Sequence, residues 1–121
     1  VPKIVKHFAQ SQSAIELGNI HVVREFSDLR DAVENYAALM DCNATGVVNL
    51  CTGQAVSVAD VIDTLRDLSD HDLNVTINPE FVRPTDIPRL VGNPTLLQKL
   101  TGRTAAFDLR ATLADMLKTA A

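Results

Sequence analysis

The sequence has 121 residues, of which 46% are hydrophobic and 21% charged, and its formal net charge is −4. This length and composition indicate one ordinary globular domain over residues 1–121, and the acidity argues against a general nucleic-acid binder. No apolar run approaches the roughly 20 residues needed to span a bilayer. The two cysteines, Cys42 and Cys51, do not make a disulfide framework, which favours a reducing compartment. We therefore expect a cytoplasmic protein without nucleic-acid or membrane partners.

Three short elements are predicted at the start of the chain. The apolar spacing that follows Pro2 predicts a helix over residues 2–11. Apolar runs at 14–17 and 20–26 lie on either side of a Gly-Asn turn signal. They predict two short strands that can pair with each other as a hairpin.

The middle of the chain predicts a helix, a buried strand and a second helix. Asp28 is a suitable N-cap for a helix that ends near Asp41. The run 46–51 is rich in β-branched residues and too short for a helix, so it fits a buried strand of a larger sheet. Residues 57–60 have capping-box spacing and predict a helix to about Ser69. The first of these helices is predicted to bury one apolar face: Leu29, Ala32, Val33, Tyr36, Ala37 and Met40.

The last third predicts a strand, a loop and two helices. Alternation over 73–77 predicts the strand, and four of the five prolines fall within 79–94, which predicts a loop with at most one helical turn. Helices are predicted from Asn93-Pro94 to Gly102 and from Asp108 onward. The order of elements is mixed α/β, with too few strands for a self-sufficient doubly wound sheet.

The sequence contains few of the motifs that mark catalytic or metal sites. It has no glycine-rich dinucleotide turn, no P-loop and no Gly-x-Ser-x-Gly elbow. The three histidines are scattered without a serine or cysteine partner, and the two cysteines have no histidine at ligand spacing. We therefore predict no catalytic, metal-binding or cofactor-binding residue in this chain.

Arginines give the strongest chemical signal. Arg24 interrupts an otherwise apolar strand face, and Arg83 lies in the proline-rich loop. A planar guanidinium suits phosphate or carboxylate groups, so one interpretation is an anion pocket built from these cations. The alternative is that each arginine pairs with a nearby carboxylate such as Asp86, Glu25 or Asp28.

An ordered set of motifs carries a family resemblance. The stretch LGNIHVVREFSDLRD at 17–31 is followed by VNLCTG at 48–53, VRPTD at 82–86 and GNP at 92–94. This order resembles the GDP-mannose-derived sugar-nucleotide enzymes of the NAD-dependent epimerase/dehydratase family, which are extended short-chain dehydrogenases/reductases. The resemblance runs from Pro2 to about Leu117. It implies the C-terminal substrate-binding portion of a Rossmann-type enzyme, with a GDP-4-keto-6-deoxy-mannose reductase favoured over a GDP-mannose 4,6-dehydratase.

The same resemblance implies a set of substrate-binding residues. Lys3, Arg24 and Arg83 match positions near the nucleotide diphosphate. Asp86 stands in place of a longer glutamate that contacts the nucleoside sugar, and Asn19 matches the guanosine side. The expected ligand is a GDP-sugar.

The family's catalytic and cofactor motifs are expected outside this sequence. In the family, a glycine-rich NAD(P)-binding turn and a Tyr-x-x-x-Lys pair lie upstream of a segment like this one. Tyr36 has Met40 four residues later instead of lysine, so it is predicted to be a core residue and not the catalytic tyrosine. We expect a fragment of a larger homo-oligomeric enzyme that uses NADP or NAD, and we expect the chain alone to bind neither and to be inactive.

Two other interpretations stay open. The chain can belong to a GDP-mannose 4,6-dehydratase or to another nucleotide-sugar epimerase or dehydratase. It can also be a non-enzymatic binding or interaction module whose apolar faces dock a partner. Selective GDP binding that Arg83→Ala weakens favours the GDP-sugar enzyme, whereas absence of binding by this chain leaves that assignment and the interaction module both open.

Overall fold

The computed structural model describes residues 1–120 and contains helices and short strands in a mixed α/β arrangement. Within that range, no helix is long and apolar enough to cross a membrane. Strands β1 and β4 pair in parallel, and β2 and β3 pair antiparallel. The elements are α1 (Pro2–Ala9), β1 (Ala14–Leu17), β2 (Val23–Arg24), α2 (Leu29–Asp41), β3 (Val56–Ser57), α3 (Val58–Ser69), β4 (Asn74–Ile77), a 3-10 turn (Pro79–Phe81), α4 (Thr95–Thr101) and α5 (Leu109–Ala120).

Helices α1, α3 and α5 contact one another and enclose the hydrophobic core together with β1 and β4. Phe8, Leu65 and Leu73 are among its fully buried side chains. The predicted capping box is confirmed at the start of α3: the Asp60 N–H donates to Ser57 Oγ at 3.0 Å, and the Ser57 N–H donates to Asp60 Oδ2 at 2.8 Å. The N-terminal cap of α3 and the buried contacts of the hydrophobic core are therefore formed by residues of this chain.

Most other element predictions are confirmed with small shifts of their ends. The first helix ends at Ala9, two residues earlier than predicted. The proline-rich loop contains a single 3-10 turn, as predicted. Asp108 caps α5, since the Ala111 N–H donates to Asp108 Oδ1 at 2.7 Å.

The predicted hairpin between residues 14–17 and 20–26 is wrong. β1 pairs instead with β4, with Leu17 opposite Ile77, and the second run is regular only over β2. The turn after β1 packs against the 3-10 turn: a Cβ on Gly18 would lie 2.5 Å from the Phe81 carbonyl oxygen. The residue at this turn must therefore lack a Cβ, and β1 pairs with a strand that lies far along the sequence.

The predicted buried strand at 46–51 is also wrong within this chain. Residues 47–50 have no regular secondary structure, and Val47 is 90% exposed. In residues 1–120, Val47, Val48 and Leu50 make no backbone hydrogen bond. The partner of β2 is β3, which the sequence did not predict because two residues beside a helix cap carry no strand periodicity.

Helix α2 has the predicted limits but the opposite orientation. Its predicted N-cap is confirmed, since the Arg30 N–H donates to Asp28 Oδ1 at 2.8 Å. Asp31 is its one buried residue, and its carboxylate accepts the N–H groups of Ala106 and Phe107 at 3.0–3.1 Å. These loop amides draw a polar residue inward, so the predicted core position of Tyr36 is wrong. The apolar face lies outside, with exposed fractions of 77% for Leu29, 57% for Val33, 63% for Tyr36 and 86% for Met40.

Candidate functional site

The proline-rich loop is fixed to β2, the strand that carries Arg24. The Val23 N–H donates to the Pro88 carbonyl at 2.8 Å, and the Leu90 N–H donates to the Val23 carbonyl at 3.0 Å. Val23 also forms a bridge with Arg89. β2 therefore has β3 on one edge and residues 88–90 on the other, which brings both candidate arginine segments to the same place.

Arg24 forms an ion pair with Asp86. Its Nη2 lies 2.7 Å from Asp86 Oδ1, and its Nη1 donates to the carbonyls of Val23 at 2.8 Å and Ile87 at 2.7 Å. The two paired side chains are each about one quarter exposed, at 27% and 26%. Arg24 therefore pairs with Asp86, one of the carboxylates that the sequence offered as a partner. Three of the five guanidinium N–H groups are used, and two have no partner within residues 1–120.

Arg83 lies on the turn that holds Asp86. The Asp86 N–H donates to the Arg83 carbonyl at 3.3 Å, which closes this turn. The Arg83 side chain is exposed and makes no ion pair or hydrogen bond with any residue of the described range. It is therefore a cation available to an external anion, next to a pair whose charges cancel.

Lys3 and Asn19 form a second group, around the turn that follows β1. Lys3 Nζ donates to the Glu16 carbonyl at 3.4 Å and lies 6.0 Å from the centroid of the Phe81 ring. Asn19 Oδ1 accepts the His21 N–H at 2.9 Å, so this side chain stabilises its own turn. Of the five predicted site residues, the structure joins Arg24, Arg83 and Asp86, and no hydrogen bond links the other two to them within residues 1–120.

Glu25, the residue after β2, accepts hydrogen bonds from two loops. Its Oε1 accepts the N–H groups of Thr52 and, at 3.1 Å, of Gly53, while its Oε2 accepts the N–H of Gly92 at 2.8 Å. Partial desolvation opposes these hydrogen bonds, but together they hold the pKa of Glu25 below its ordinary value. Gly92 is required there, because a Cβ would lie 2.7 Å from Cys51 Cβ.

The sequence pointed to Glu25 only as a partner for an arginine and missed this role. The available signal was a carboxylate on a short apolar strand, which needs donors when it is partly buried. Those donors come from loops 27 and 67 residues away, which local patterns do not reveal.

A groove of about 470 Å³ lies beside Arg24 and Glu25, between β2, residues 49–51 and residues 90–92. Arg83 and Asp86 do not line it. Its volume falls in the usual range for small-molecule sites, roughly 300–1,000 Å³. A larger cleft, of about 580 Å³, lies at the start of α2 and contains none of the predicted site residues. The smaller groove is the candidate site, because the predicted site residue Arg24 and the carboxylate of Glu25 line it. Its lining includes Arg24, Glu25, Asn49, Cys51, Leu90 and Gly92.

Metal-ligand clusters and the two cysteines are the next candidates for a site of chemistry among residues 1–120. Within residues 1–120, no group of three histidine, cysteine or carboxylate side chains is placed to hold a metal ion. Cys42 and Cys51 are unpaired and half-buried. Burial, and secondly the negative charge of Glu25, raise the pKa of the Cys51 thiol, which disfavours a reactive thiolate.

Residues 1–116 match the family model described as GDP-mannose 4,6 dehydratase. The chain belongs to this family. It is 34% identical over 120 residues to the GDP-6-deoxy-D-talose 4-dehydrogenase of Aggregatibacter actinomycetemcomitans, covering 98% of this chain and 41% of that protein. It is 31% identical over 106 residues to the GDP-6-deoxy-D-mannose reductase of Pseudomonas aeruginosa, covering 84% and 35%.

The fold of this family member is that of the C-terminal portion of an extended short-chain dehydrogenase/reductase. A solved structure from Burkholderia cenocepacia J2315, provisionally assigned as an epimerase, superposes with a TM-score of 0.94 at 33% identity. The match covers 98% of this chain and 40% of that one. The chain therefore spans about two fifths of the length of the relatives it matches, and the resemblance inferred from the motifs is confirmed.

Proposed function

We propose that this chain is the substrate-binding part of an NAD(P)-dependent GDP-sugar oxidoreductase, with the reduction of GDP-4-keto-6-deoxy-mannose as the preferred activity of the intact enzyme. The observation that carries this proposal is the exposed Arg83 guanidinium on the turn that also holds the Arg24–Asp86 pair. The names of the two curated relatives described above specify GDP-sugars, which supports this ligand class. A 4,6-dehydratase or another nucleotide-sugar epimerase is the alternative activity.

The diphosphate is assigned to the two arginines because their charges and donors suit it. Arg83 contributes an unneutralised positive charge, and Arg24 keeps two N–H groups without partners in the described range. Charge-assisted hydrogen bonds from guanidinium to phosphate are stronger than neutral ones. Lys3 is assigned to the same diphosphate and Asn19 to the guanosine on the family resemblance. In this assignment Asp86 contacts the nucleoside sugar or, through its ion pair, orients Arg24.

Three of the five α-helices in residues 1–120 have a side chain that already caps their N-terminus, which disfavours a dinucleotide pyrophosphate at these three positions. In α2 and α5 the carboxylates of Asp28 and Asp108 accept N–H groups of the first turn, and in α3 the Ser57 hydroxyl accepts the Asp60 N–H. These N–H groups would otherwise be available to a pyrophosphate. We therefore assign the NADP or NAD site, and the catalytic residues, to polypeptide outside these 121 residues. We further propose that residues 1–121 form one domain of a cytoplasmic homo-oligomer.

Isothermal titration calorimetry with GDP, UDP and dTDP tests the ligand class. We expect selective binding of GDP, and we expect Arg83→Ala to weaken it by roughly 10- to 100-fold, since a hydrogen bond to a charged group contributes about 1.5–3 kcal/mol. The matched control is Arg110→Ala, because Arg110 is also exposed but pairs with Asp67 on another part of the surface. Equal affinity for the three nucleotides would overturn the assignment to GDP-sugars.

The same titration on a chimera tests whether GDP binding requires the rest of the enzyme as well as this chain. In this chimera, residues 1–120 replace the matched segment of the Aggregatibacter relative. If neither the chain nor the folded chimera binds GDP, the non-enzymatic interaction module becomes the better assignment.

A further inference from the structure

The ion pair between Arg24 and Asp86 joins the groove to the proline-rich loop. Arg24 lines the groove, whereas Asp86 belongs to the loop and does not line it. The Nη2 atom of Arg24 lies 2.7 Å from Asp86 Oδ1, and both side chains are partly exposed. The pair therefore lies at the edge of the candidate site, where an incoming ligand reaches both partners.

Asp86 occupies the group that an anion needs. A guanidinium binds phosphate through its N–H groups and its positive charge. Asp86 takes one of the Arg24 N–H groups and neutralises the charge, and two backbone carbonyls take two further N–H groups. An anion at the remaining N–H groups of Arg24 lies close to the Asp86 carboxylate, and these like charges repel each other. The intact pair therefore lowers the affinity of Arg24 for any anion.

The Asp86 carboxylate has unused capacity to accept hydrogen bonds. An ionised carboxylate offers about four lone-pair sites on its two oxygens. Within residues 1–120, the Asp86 side chain accepts one hydrogen bond, from Arg24 to Oδ1. A ligand that carries hydroxyl groups beside its phosphates can donate to this carboxylate while the phosphates bind Arg24. Inorganic pyrophosphate offers the same diphosphate without those hydroxyl groups.

We propose that Asp86 is a specificity-determining residue of the diphosphate site: it competes with simple anions for Arg24, and it favours a diphosphate whose neighbouring hydroxyl groups bind the released carboxylate. A nucleoside diphosphate meets this requirement, because its ribose carries two adjacent hydroxyl groups. Arg83 has no ion pair within the described range, so its charge attracts both kinds of ligand. The inference rests on the proposed function in placing a diphosphate at Arg24.

Calorimetric titration with inorganic pyrophosphate and with GDP tests the role of the carboxylate. The 121-residue chain and the chimera are both used, at low salt concentration, since salt screens these charges. Asp86→Asn removes the charge and keeps the shape of the side chain. We expect it to strengthen pyrophosphate binding by about tenfold or more, the usual effect of one hydrogen bond to a charged group. GDP should gain less than about threefold, because an amide accepts ribose hydroxyl groups less strongly than a carboxylate does.

Three control variants separate this role from a general effect of charge. Asp67→Asn removes the same charge from an exposed carboxylate that pairs with Arg110, and both affinities should stay within about threefold of the wild type. Asp86→Glu keeps the charge and should bind pyrophosphate as weakly as the wild type. In a chain that also carries Arg24→Ala, Asp86→Asn should lose most of its effect, because the competition takes place at Arg24.

A change in the ligand tests the same inference on the unaltered chain. 2′,3′-Dideoxy-GDP lacks both ribose hydroxyl groups, so it should bind the wild type about tenfold or more weakly than GDP. The difference between the two nucleotides should shrink in Asp86→Asn. Equal affinities of the wild type for GDP and its dideoxy analogue would overturn the inference, whatever the stability of the variants.

The other outcomes are also decisive. The inference is overturned if Asp86→Asn leaves pyrophosphate binding unchanged, or if neither the variant chain nor the variant chimera binds pyrophosphate. Equal gains with and without Arg24 overturn it as well, because Asp86 would then act only as a distant charge. If UDP binds as tightly as GDP while the effects of Asp86→Asn appear as expected, this inference stands and only the assignment to GDP-sugars falls.

Discussion

The core around α3 and the region around α2 bury opposite sides of similar amphipathic helices. In the core, apolar residues lie inside, and Leu65 is completely buried. In α2 the polar Asp31 is 4% exposed while Met40 is 86% exposed. An amphipathic pattern therefore identifies a helix and its two sides. Which side faces the interior depends also on the hydrogen bonds that its polar residues make, as Asp31 does with the N–H groups of Ala106 and Phe107. Helix α3 buries its apolar side within the chain, whereas the apolar side of α2 is exposed in the described residues.

The largest expected effect is in the core. Leu65→Ala should lower the free energy of unfolding by about 2–5 kcal/mol, because it removes buried methyl groups and leaves a cavity. Val33→Ala, on the exposed apolar side of α2, should change it by no more than about 0.5 kcal/mol. Urea unfolding of the 121-residue chain measures both. Similar losses of unfolding free energy for the two substitutions would show that this side of α2 is buried in solution.

The junction between the two regions should show the next largest effect. The buried Asp28 carboxylate accepts the Arg30 Nη2–H at 2.8 Å and the Thr112 hydroxyl at 2.7 Å, so it ties α2 to α5. Asp28→Asn should cost about 1.5–3 kcal/mol, the usual contribution of hydrogen bonds to a charged group. Asp115→Asn is the control, because Asp115 pairs with the same arginine at an exposed site, and about 0–1 kcal/mol is expected. Equal losses of unfolding free energy for the two substitutions would contradict the expectation that the buried carboxylate contributes more than the exposed one.

The contribution of Asp28 should depend on pH with a definite sign. Its hydrogen bonds from the Arg30 side chain, opposed by desolvation and assisted by the Thr112 hydroxyl, hold the pKa of Asp28 well below its ordinary value. The resulting stability is fully present above the unfolded pKa of about 3.9 and is lost as the pH falls through the folded pKa. The difference in unfolding free energy between the wild type and Asp28→Asn should therefore be constant from pH 5 to 7 and shrink below about pH 4. A difference that grows on acidification would contradict this account.

The smallest expected effect concerns the groove. Glu25→Gln keeps the length of the side chain but removes its charge, so it should cost about 0.5–1.5 kcal/mol. Amide exchange at Gly53 and Gly92 should accelerate, because both N–H groups donate to Glu25. Urea unfolding and residue-resolved exchange measure the two effects. Unchanged exchange at both glycines would show that Glu25 does not hold these loops.

The local parts of the fold could be predicted from the sequence. The capping box at Ser57, the N-cap at Asp28 and the alternation before Asn78 act over a few residues, and they correctly located α3, the start of α2 and β4. The ordered motifs also identified the family, whose model matches residues 1–116.

The nonlocal parts could not be predicted. The partner of β1 lies about 60 residues away in β4, and local sequence patterns do not identify a partner at that separation. The pairing of Arg24 with Asp86 was one of several alternatives, since spacing does not tell which carboxylate a folded loop delivers. The buried strand predicted at 46–51 is wrong, because its apolar, β-branched composition is local but no strand within residues 1–120 pairs with residues 47–50.

Residue-resolved hydrogen exchange on the 121-residue chain tests most directly whether one region is self-sufficient and the other incomplete. The Leu65 amide should exchange only through opening of the core, whereas the Val48 amide has no hydrogen-bond partner in the described range. The account predicts that their protection factors differ by at least about a thousandfold. Protection of Val48 within about tenfold of that of Leu65 would contradict it.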